Sequence, residues 1–211
     1  MLPSIFLRLM LIIGFFFFGY NITYIILYKR KHQKKTQSKE IMNNLEEPRF
    51  LAKIGVFTTN IFLTVSCMNI FFYELFSLFI PRIKFGFLTE IVQIIGFTFV
   101  IGGNITLFLA YHELGEYWTY PIDGIKKLKL VTSGIYGKIR HPIYLSFILF
   151  SLGFELILLD PIMLILFIIS FIGLFIQAKE EERILYEYFG QEYMKYKEKT
   201  GMFFYFKHSK P

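Results

Sequence analysis

Apolar residues fall in long runs rich in Ile, Leu and Phe, separated by polar segments. The first run covers about Ile5 to Tyr28, the second about Ile54 to Ile80, where it stops at Pro81, and the third about Leu88 to Tyr111. The fourth and fifth, about Ile143 to Leu159 and Pro161 to Ala178, are punctuated only by Asp160-Pro161. Runs of this length predict membrane-spanning helices. At about 1.5 Å per residue the fourth reaches roughly 25 Å, just short of a typical ~30 Å apolar core. The last two runs therefore read as a tight helical hairpin, with Asp160 capping its second helix and Pro161 at the first helical position. The expected fold is all-α: a polytopic membrane helix bundle of about five transmembrane helices, with a C-terminal hairpin and a cytoplasmic helix. Residues 1–111 form a three-span N-terminal region, and residues 112–211 carry the hairpin and its flanks. The first run is longer than a signal peptide's apolar core and is expected to be a retained anchor.

Composition agrees. Of 211 residues, 55% are hydrophobic and 20% aromatic, and the 18% that are charged fall below the roughly 25% of a soluble domain. An ordinary soluble globule, a disordered chain and a disulfide scaffold are excluded; the one cysteine, Cys67, has no partner. The net charge of +7 raises nucleic acid as a partner, but its distribution points to a membrane surface. Segment 29–53 carries eight Lys and Arg against three Glu, and 112–142 carries five Lys and Arg, whereas 81–87 has only Arg82 and Lys84. Five spans put all the basic segments on one side, the cytoplasmic one, with the N-terminus outside and the C-terminus inside. The stretch 29–47 reads as a solvated loop near anionic lipid headgroups.

Polar chemistry concentrates at the cytoplasmic rim of the hairpin. From Leu130 the chain reads LVTSGIYGKIRHPIYL, and from Ala178, AKEEERILYEYFGQEYMKYKEKTG. The hairpin returns both segments to the same face, so Arg140-His141-Pro142 and Glu180-Glu181-Glu182 become neighbours.

This combination resembles the isoprenylcysteine carboxyl methyltransferase family and its bacterial and phospholipid methyltransferase relatives. The likeness rests on LVTSG-x-Y-x-x-x-RHP-x-Y (Leu130 to Tyr144), EE-x-x-L-x-x-x-FG-x-EY-x-x-Y (Glu181 to Tyr196) and a weaker LGEYW at 114–118, and covers about residues 112–200. It implies a membrane-embedded methyltransferase that uses S-adenosylmethionine on a lipophilic substrate: a prenylcysteine carboxylate, a lipid amine or a small thiol. The resemblance implies no Rossmann fold, and no G-x-G-x-x-G occurs. Matched position by position, it assigns cofactor contacts to Leu130, Val131, Tyr136, His141, Pro142, Ile143, Tyr144 and Glu181. Glu181 can accept from a diol or an ammonium, tyrosine faces can meet adenine or a sulfonium, and Arg140 can pair with a carboxylate. Arg140 and Glu181 are thus the candidate catalytic residues. No metal is required, and no metal-ligand spacing occurs among the four histidines. Two positions depart from the family pattern. Leu128 stands where a histidine is usual, and Gln177, the candidate substrate residue, stands where an arginine is usual.

Two rival functions remain at this level, an NADPH-dependent membrane reductase of the sterol-reductase type and a non-catalytic membrane scaffold. Several polar residues carry plainer expectations. Glu180 and Glu182 read as a solvated helix start, Tyr186, Tyr188, Tyr193 and Tyr196 as interface or packing residues, and Gly190 as a helix break. Glu155, near the outer turn, is expected to snorkel to the interface. Asn60, Asn69 and Asn104 are expected to bond between helices, and Gly96, Gly102 and Gly103 to allow close helix approach.

Overall fold

A computed structural model of the protein describes residues 2–32, 51–115 and 129–204. Seven helices occur among them: α1 (Ser4–His32), α2 (Leu51–Phe71), α3 (Tyr73–Phe79), α4 (Thr89–Leu114), α5 (Pro142–Leu158), α6 (Pro161–Phe189) and α7 (Gln191–Lys199). Four stretches are long and apolar enough to cross a membrane, Ser4–Tyr24, Ile54–Phe71, Gly86–Leu114 and Pro161–Phe189, and α5 is a shorter apolar helix. The molecule is an all-α polytopic membrane bundle.

The second apolar run is not one helix. It breaks at Phe72, and the break turns Tyr73 inward. The Tyr73 ring lies beneath the guanidinium groups of Arg82, at 4.9 Å, and Arg8, at 5.4 Å. These are cation–π contacts that a continuing helix would not place there.

The hairpin turn forms as Asp160-Pro161 requires. The Asp160 carboxylate accepts from the backbone N–H of Ile162 at 2.9 Å and of Met163 at 3.3 Å, with Pro161 in the first turn. Leu159 adopts the left-handed conformation, φ 52°. Arg82 and Asn69 close on the same carboxylate: Arg82 Nη1 donates to Asp160 at 2.5 Å, Asn69 Nδ2 donates to it at 3.0 Å, and Arg82 Nη2 donates to the Asn69 amide oxygen at 3.1 Å.

The two arms of the hairpin pack mainly on other helices. Helix α5 lies chiefly along α4 and α6 chiefly along α2, with much less contact between the arms themselves. The α4–α5 seam needs three glycines, Gly96 and Gly103 of α4 and Gly153 of α5. A Cβ on Gly96 would lie 2.8 Å from the Gly153 carbonyl oxygen, and one on Gly103 would lie 2.8 Å from that of Ser146. Gly102 faces open space, which corrects its expected role. Aromatic rings of α1 cover α5, with Phe18 stacked on Phe150 at 4.1 Å and Phe15 edge-on to Phe154 at 5.0 Å. The α2–α6 seam uses Gly55 and Gly173, beside a buried 3.0 Å hydrogen bond between Thr59 and Ser170.

Other expectations change with this arrangement. Glu155 is 3% exposed and does not snorkel, because α5 is enclosed by its neighbours down to its last turn. Asn69 bonds between helices, and Asn104 accepts from Asn21 at 3.4 Å, but Asn60 donates back to Val56 of its own helix. Helix α6 does not stop where the apolar run ends. It continues to Phe189, so Glu180–Glu182 lie within it and not at a start. Arg183 supports that extension by pairing with Glu180 at 2.8 Å and with Glu187 one turn on. Gly190, at φ 51°, ends α6 and lets α7 fold back with Tyr193 and Tyr196 buried.

Candidate functional site

The site begins with how the chain enters α5. A 3₁₀ turn at Gly134–Gly137 precedes Lys138, and Pro142 occupies the first turn of α5. The segment after α7 runs back alongside. Gly201 forms an isolated parallel bridge with Ile139, with Gly201 N–H to Lys138 O at 3.0 Å and Arg140 N–H to Gly201 O at 2.9 Å. His141 N–H then donates to Met202 O at 3.1 Å. These backbone bonds fix the Arg140-His141-Pro142 turn from one side, and Tyr196 holds it from another by donating its hydroxyl to Tyr136 O at 2.8 Å.

Arg140 points into this joint. Its guanidinium meets the Glu182 carboxylate at 2.7 Å through both Nε and Nη2, while Nη1 donates to the carbonyls of Lys197 and Thr200. Lys197 Nζ reaches the other Glu182 oxygen at 3.0 Å. Both partners of the Arg140–Glu182 pair are under a tenth exposed (8% and 5%), so this is a buried ion pair with a satisfied fork. The expectation that Glu182 is solvated is therefore wrong. One residue beyond Glu181 on a helix turns the side chain about 100°, and that direction points at Arg140.

His141 lies between the two carboxylates. Its Nδ1 is 3.5 Å from Glu181 and its Nε2 is 3.5 Å from Glu182, and the ring is parallel to that of Tyr144, planes 4° apart and centroids 5.4 Å apart. Burial by itself pushes the His141 pKa down; Glu181 and Glu182 outweigh it and leave the group above its ordinary value. The Tyr144 hydroxyl accepts from Gln177 Nε2 at 3.1 Å and lies within reach of Glu181. Gln177 is 1% exposed, and its Oε1 has no hydrogen-bond partner. Gly55 of α2 passes directly against that oxygen. The Glu181 side chain is 37% exposed and faces the rim. Tyr136 is buried, and its phenol is held well above its usual pKa by burial first and then by Glu181 and its other neighbours.

The structure thus gathers Tyr136, His141, Tyr144, Gln177 and Glu181 into one cluster, with Arg140 and Pro142 framing it. Ile143 packs into the apolar core beneath. Leu130 and Val131 are half-buried on the irregular approach to the turn, with no polar contact to the cluster. Leu128 and the 116–118 part of LGEYW lie outside the described residues, as does 33–50 of the basic loop. Sequence reasoning missed three participants. Glu182 is one of three adjacent acids and nothing in the string distinguishes it. Lys197 sits in a lysine-rich helix. Glu113, at the end of α4, accepts from the Ser133 hydroxyl and fills the space beside Gly134, which has φ 54°. A separate cleft of about 430 Å³ opens between α6 and α7, lined by Lys179, Glu182, Arg183, Tyr193 and Lys197 among others, and not by Glu181. Among the described residues no group of three His, Cys, Asp or Glu could hold a metal ion.

Comparison with known proteins gives this geometry a context. Residues 94–187 match the isoprenylcysteine carboxyl methyltransferase (ICMT) family. The chain is 33% identical over 132 residues to protein-S-isoprenylcysteine O-methyltransferase of Saccharomyces cerevisiae, covering 60% of this chain and 55% of the relative. It is 30% identical over 116 residues to the Homo sapiens protein of that name, covering 53% of this chain and 41% of the relative. It is also 33% identical over 108 residues to protein-S-isoprenylcysteine O-methyltransferase B of Arabidopsis thaliana, covering 50% and 55%. The chain spans about half the length of the curated relatives it matches. The family match therefore takes in the whole first motif and the start of the second, through Glu187.

Proposed function

We propose that the protein is an integral membrane methyltransferase that uses S-adenosylmethionine to methylate a lipophilic acceptor, the carboxylate of a prenylated cysteine. The observation that carries this reading is the convergence of Tyr136, His141, Tyr144, Gln177 and Glu181 at one rim, all five inside the family-matched segment. The relatives' names supply the acceptor class.

The residues fit the cofactor. Glu181 offers a half-open carboxylate to a ribose diol or an ammonium. The parallel His141 and Tyr144 rings and the Tyr136 face suit an adenine or a sulfonium. When bound, S-adenosylmethionine supplies an electrophilic methyl group on a cationic sulfur, and a carboxylate acceptor arrives already charged. The protein's tasks are then alignment and exclusion of water.

Glu182, locked by Arg140 and Lys197, anchors one side of His141, and Glu181 orients its other edge. Arg140 accordingly acts as a positioning residue, since its donors are already engaged. Gln177 and Tyr144 lie one helical turn deeper, at the border of the apolar interior, where an acceptor carboxylate meets neutral donors. Leu130, Val131, Pro142 and Ile143 shape the remaining wall. In this reading residues 112–211 form the catalytic region, the first three spans its lipid-facing support, and the rim faces the cytoplasm beside anionic lipid headgroups.

Titrating the detergent-solubilised protein with S-adenosylmethionine and with NADPH, then assaying methyl transfer to N-acetyl-S-farnesylcysteine, tests the function. Saturable S-adenosylmethionine binding and base-labile methyl ester product are expected. Binding of NADPH alone, or of neither, overturns it. Cysteine labelling that finds residues 35 and 207 on opposite sides overturns the orientation.

A further inference from the structure

Of the clustered residues, Tyr136 alone sits outside the long helices and their caps. His141 caps α5, Tyr144 lies in its first turn, and Gln177 and Glu181 lie on α6. Tyr136 rides on the short 3₁₀ turn Gly134–Gly137, yet its ring is buried. A turn left free would have to be ordered at the moment a ligand binds, at a cost in affinity. Downstream, this turn is tied by the Tyr196 hydroxyl on Tyr136 O and by the Ile139–Gly201 bridge. Upstream, the tie comes from α4. The Ser133 hydroxyl donates to the Glu113 carboxylate. The same carboxylate lies against the bare Cα of Gly134, where a Cβ would collide with its Oε2 and Cδ. Gly134 has φ 54°, in the left-handed region that glycine enters at no steric cost. Ser133-Gly134 therefore forms a notch, with a hydroxyl on one side and no side chain on the other, and Glu113 fills it.

Glu113 stands one residue before the end of α4, Leu114. An acid in the last turn of a helix meets the negative end of the helix dipole, so α4 itself gains nothing from this carboxylate. What α4 supplies is a fixed base. The Gly96, Gly103 and Gly153 seam seats it backbone-close on α5, and packing of that density leaves little room to slide. Through Glu113 the turn is referred to the same frame as His141 and Tyr144. The carboxylate is also near the ring: the Tyr136 phenol is held well above its usual pKa by burial first, then by Glu181, Tyr111, Tyr196 and Glu113.

We infer, resting on the methyltransferase reading proposed above, that Glu113 is a positioning residue for the cofactor site: held by Ser133 and seated on Gly134, it fixes the Gly134–Gly137 turn against the end of α4 and so presents Tyr136 preorganised to S-adenosylmethionine. Glu113 acts through the turn. Its loss lowers the fraction of molecules whose turn is ready, and apparent cofactor affinity falls in proportion to that fraction. At saturating cofactor the ligand itself orders the turn, and turnover no longer depends on the brace.

The test compares full-length wild type, Glu113→Ala, Glu113→Gln, Ser133→Ala and the Glu113→Ala/Ser133→Ala double variant in detergent. Calorimetry with S-adenosylmethionine, methyl transfer to N-acetyl-S-farnesylcysteine and amide hydrogen exchange are the readouts. Each alanine variant is expected to weaken cofactor binding by roughly 2- to 12-fold, the range of one hydrogen bond of ordinary net strength, raising cofactor KM while kcat holds. The double variant is expected to be no weaker than the weaker single, since both remove the same bond. Glu113→Gln keeps an acceptor for Ser133 and is expected to restore most of the affinity. Exchange is expected to quicken in both alanine variants at the amides of Gly137, Lys138 and Ile139, whose bonds to Ser133 O and Ile135 O close the turn. A glutamine as weak as alanine, additive losses in the double variant, or a fall in kcat with KM unchanged overturns the inference. Quickening spread through α4 and α5 makes Glu113 a residue of the bundle and overturns it as well. Should the wild type bind no S-adenosylmethionine, the proposed function falls; exchange still decides the brace, and unchanged exchange in both alanine variants overturns it.

Discussion

Arg140→Met, Glu182→Met and the double replacement test whether the rim is held by its buried ion pair. The two side chains are 8% and 5% exposed, so either charge left alone is poorly solvated. Breaking one side of such a pair costs about 3–5 kcal/mol, since the remaining charge is left buried. Arg140→Met also strips donors from the Lys197 and Thr200 carbonyls, about 1 kcal/mol each, and loosens the segment after α7. Glu182→Met is milder, because Lys197 is 43% exposed and can turn to solvent. Replacing both removes the stranded charge, so the double variant is expected to be less destabilised than the sum of the singles by at least about 2 kcal/mol. For a chain of this size about 3–5 kcal/mol corresponds to roughly 6–20 °C in Tm, which thermal unfolding in detergent followed by near-ultraviolet circular dichroism resolves. Arg140→Lys keeps the charge and loses the fork, and falls between wild type and Arg140→Met. Additive singles, within about 0.5 kcal/mol, would falsify the ion pair as the joint of the rim.

Three further outcomes follow from the site and its seams. Glu181→Ala is expected to weaken S-adenosylmethionine binding by roughly 10- to 150-fold, the loss of a hydrogen bond to a charged group, while Gln177→Ala acts on acceptor KM; calorimetry showing equal loss of cofactor affinity in both would refute this division. His141 stabilises the fold when protonated between Glu181 and Glu182, and its pKa is raised. The stability difference between wild type and His141→Gln is therefore full below the ordinary histidine value of about 6.5 and declines as pH rises through the higher folded value. A difference that grows with pH contradicts it. Gly96→Ala puts a Cβ 2.8 Å from the Gly153 carbonyl and lowers Tm, whereas Gly102→Ala meets open space and is neutral or stabilising by up to about 1 kcal/mol; equal effects refute the seam.

The spans were legible because each element's cause is local. Asp160-Pro161 specifies its own cap, Gly190 its own break, and an apolar run its own burial in lipid. The motif spacing also placed His141, Tyr144 and Glu181 together, since a hairpin with a two-residue turn leaves no alternative. What stayed hidden depends on partners distant in sequence. The break at Phe72 carries no Pro or Gly signal, and its ring partners for Tyr73, Arg8 and Arg82, are distant in sequence. Glu182 is chosen over Glu180 by helix phase and by Arg140, 42 residues away. Gln177 reads as a free substrate contact in the sequence, yet Gly55 of α2 lies against its amide oxygen. An arginine there, as in the family pattern, would have to displace α2, so restoring it demands a second change at the seam.

Helix α5 brings these observations to one physical point. With 17 residues it reaches roughly 25 Å, short of a ~30 Å apolar core, and a lipid-facing helix of that length would be free to shift in depth or tilt. Here α5 is enclosed, and polar clusters held inside the protein pin its two ends. At one end Asp160 is gripped by Arg82 and Asn69, and Ile83 N–H donates to Leu159 O at 2.8 Å. At the other, Arg140 grips Glu182 while Gly201 and Met202 hold the backbone. Burying charge in this setting is costly unless it is paired, so each cluster has one favourable depth. Two such clusters at the ends of a short helix fix its height against α4 and α6. His141 and Tyr144, in the first turn, inherit that fixed height. Under the proposed function, the level of these two rings is where a polar cofactor from the aqueous side would meet an apolar acceptor from the bilayer.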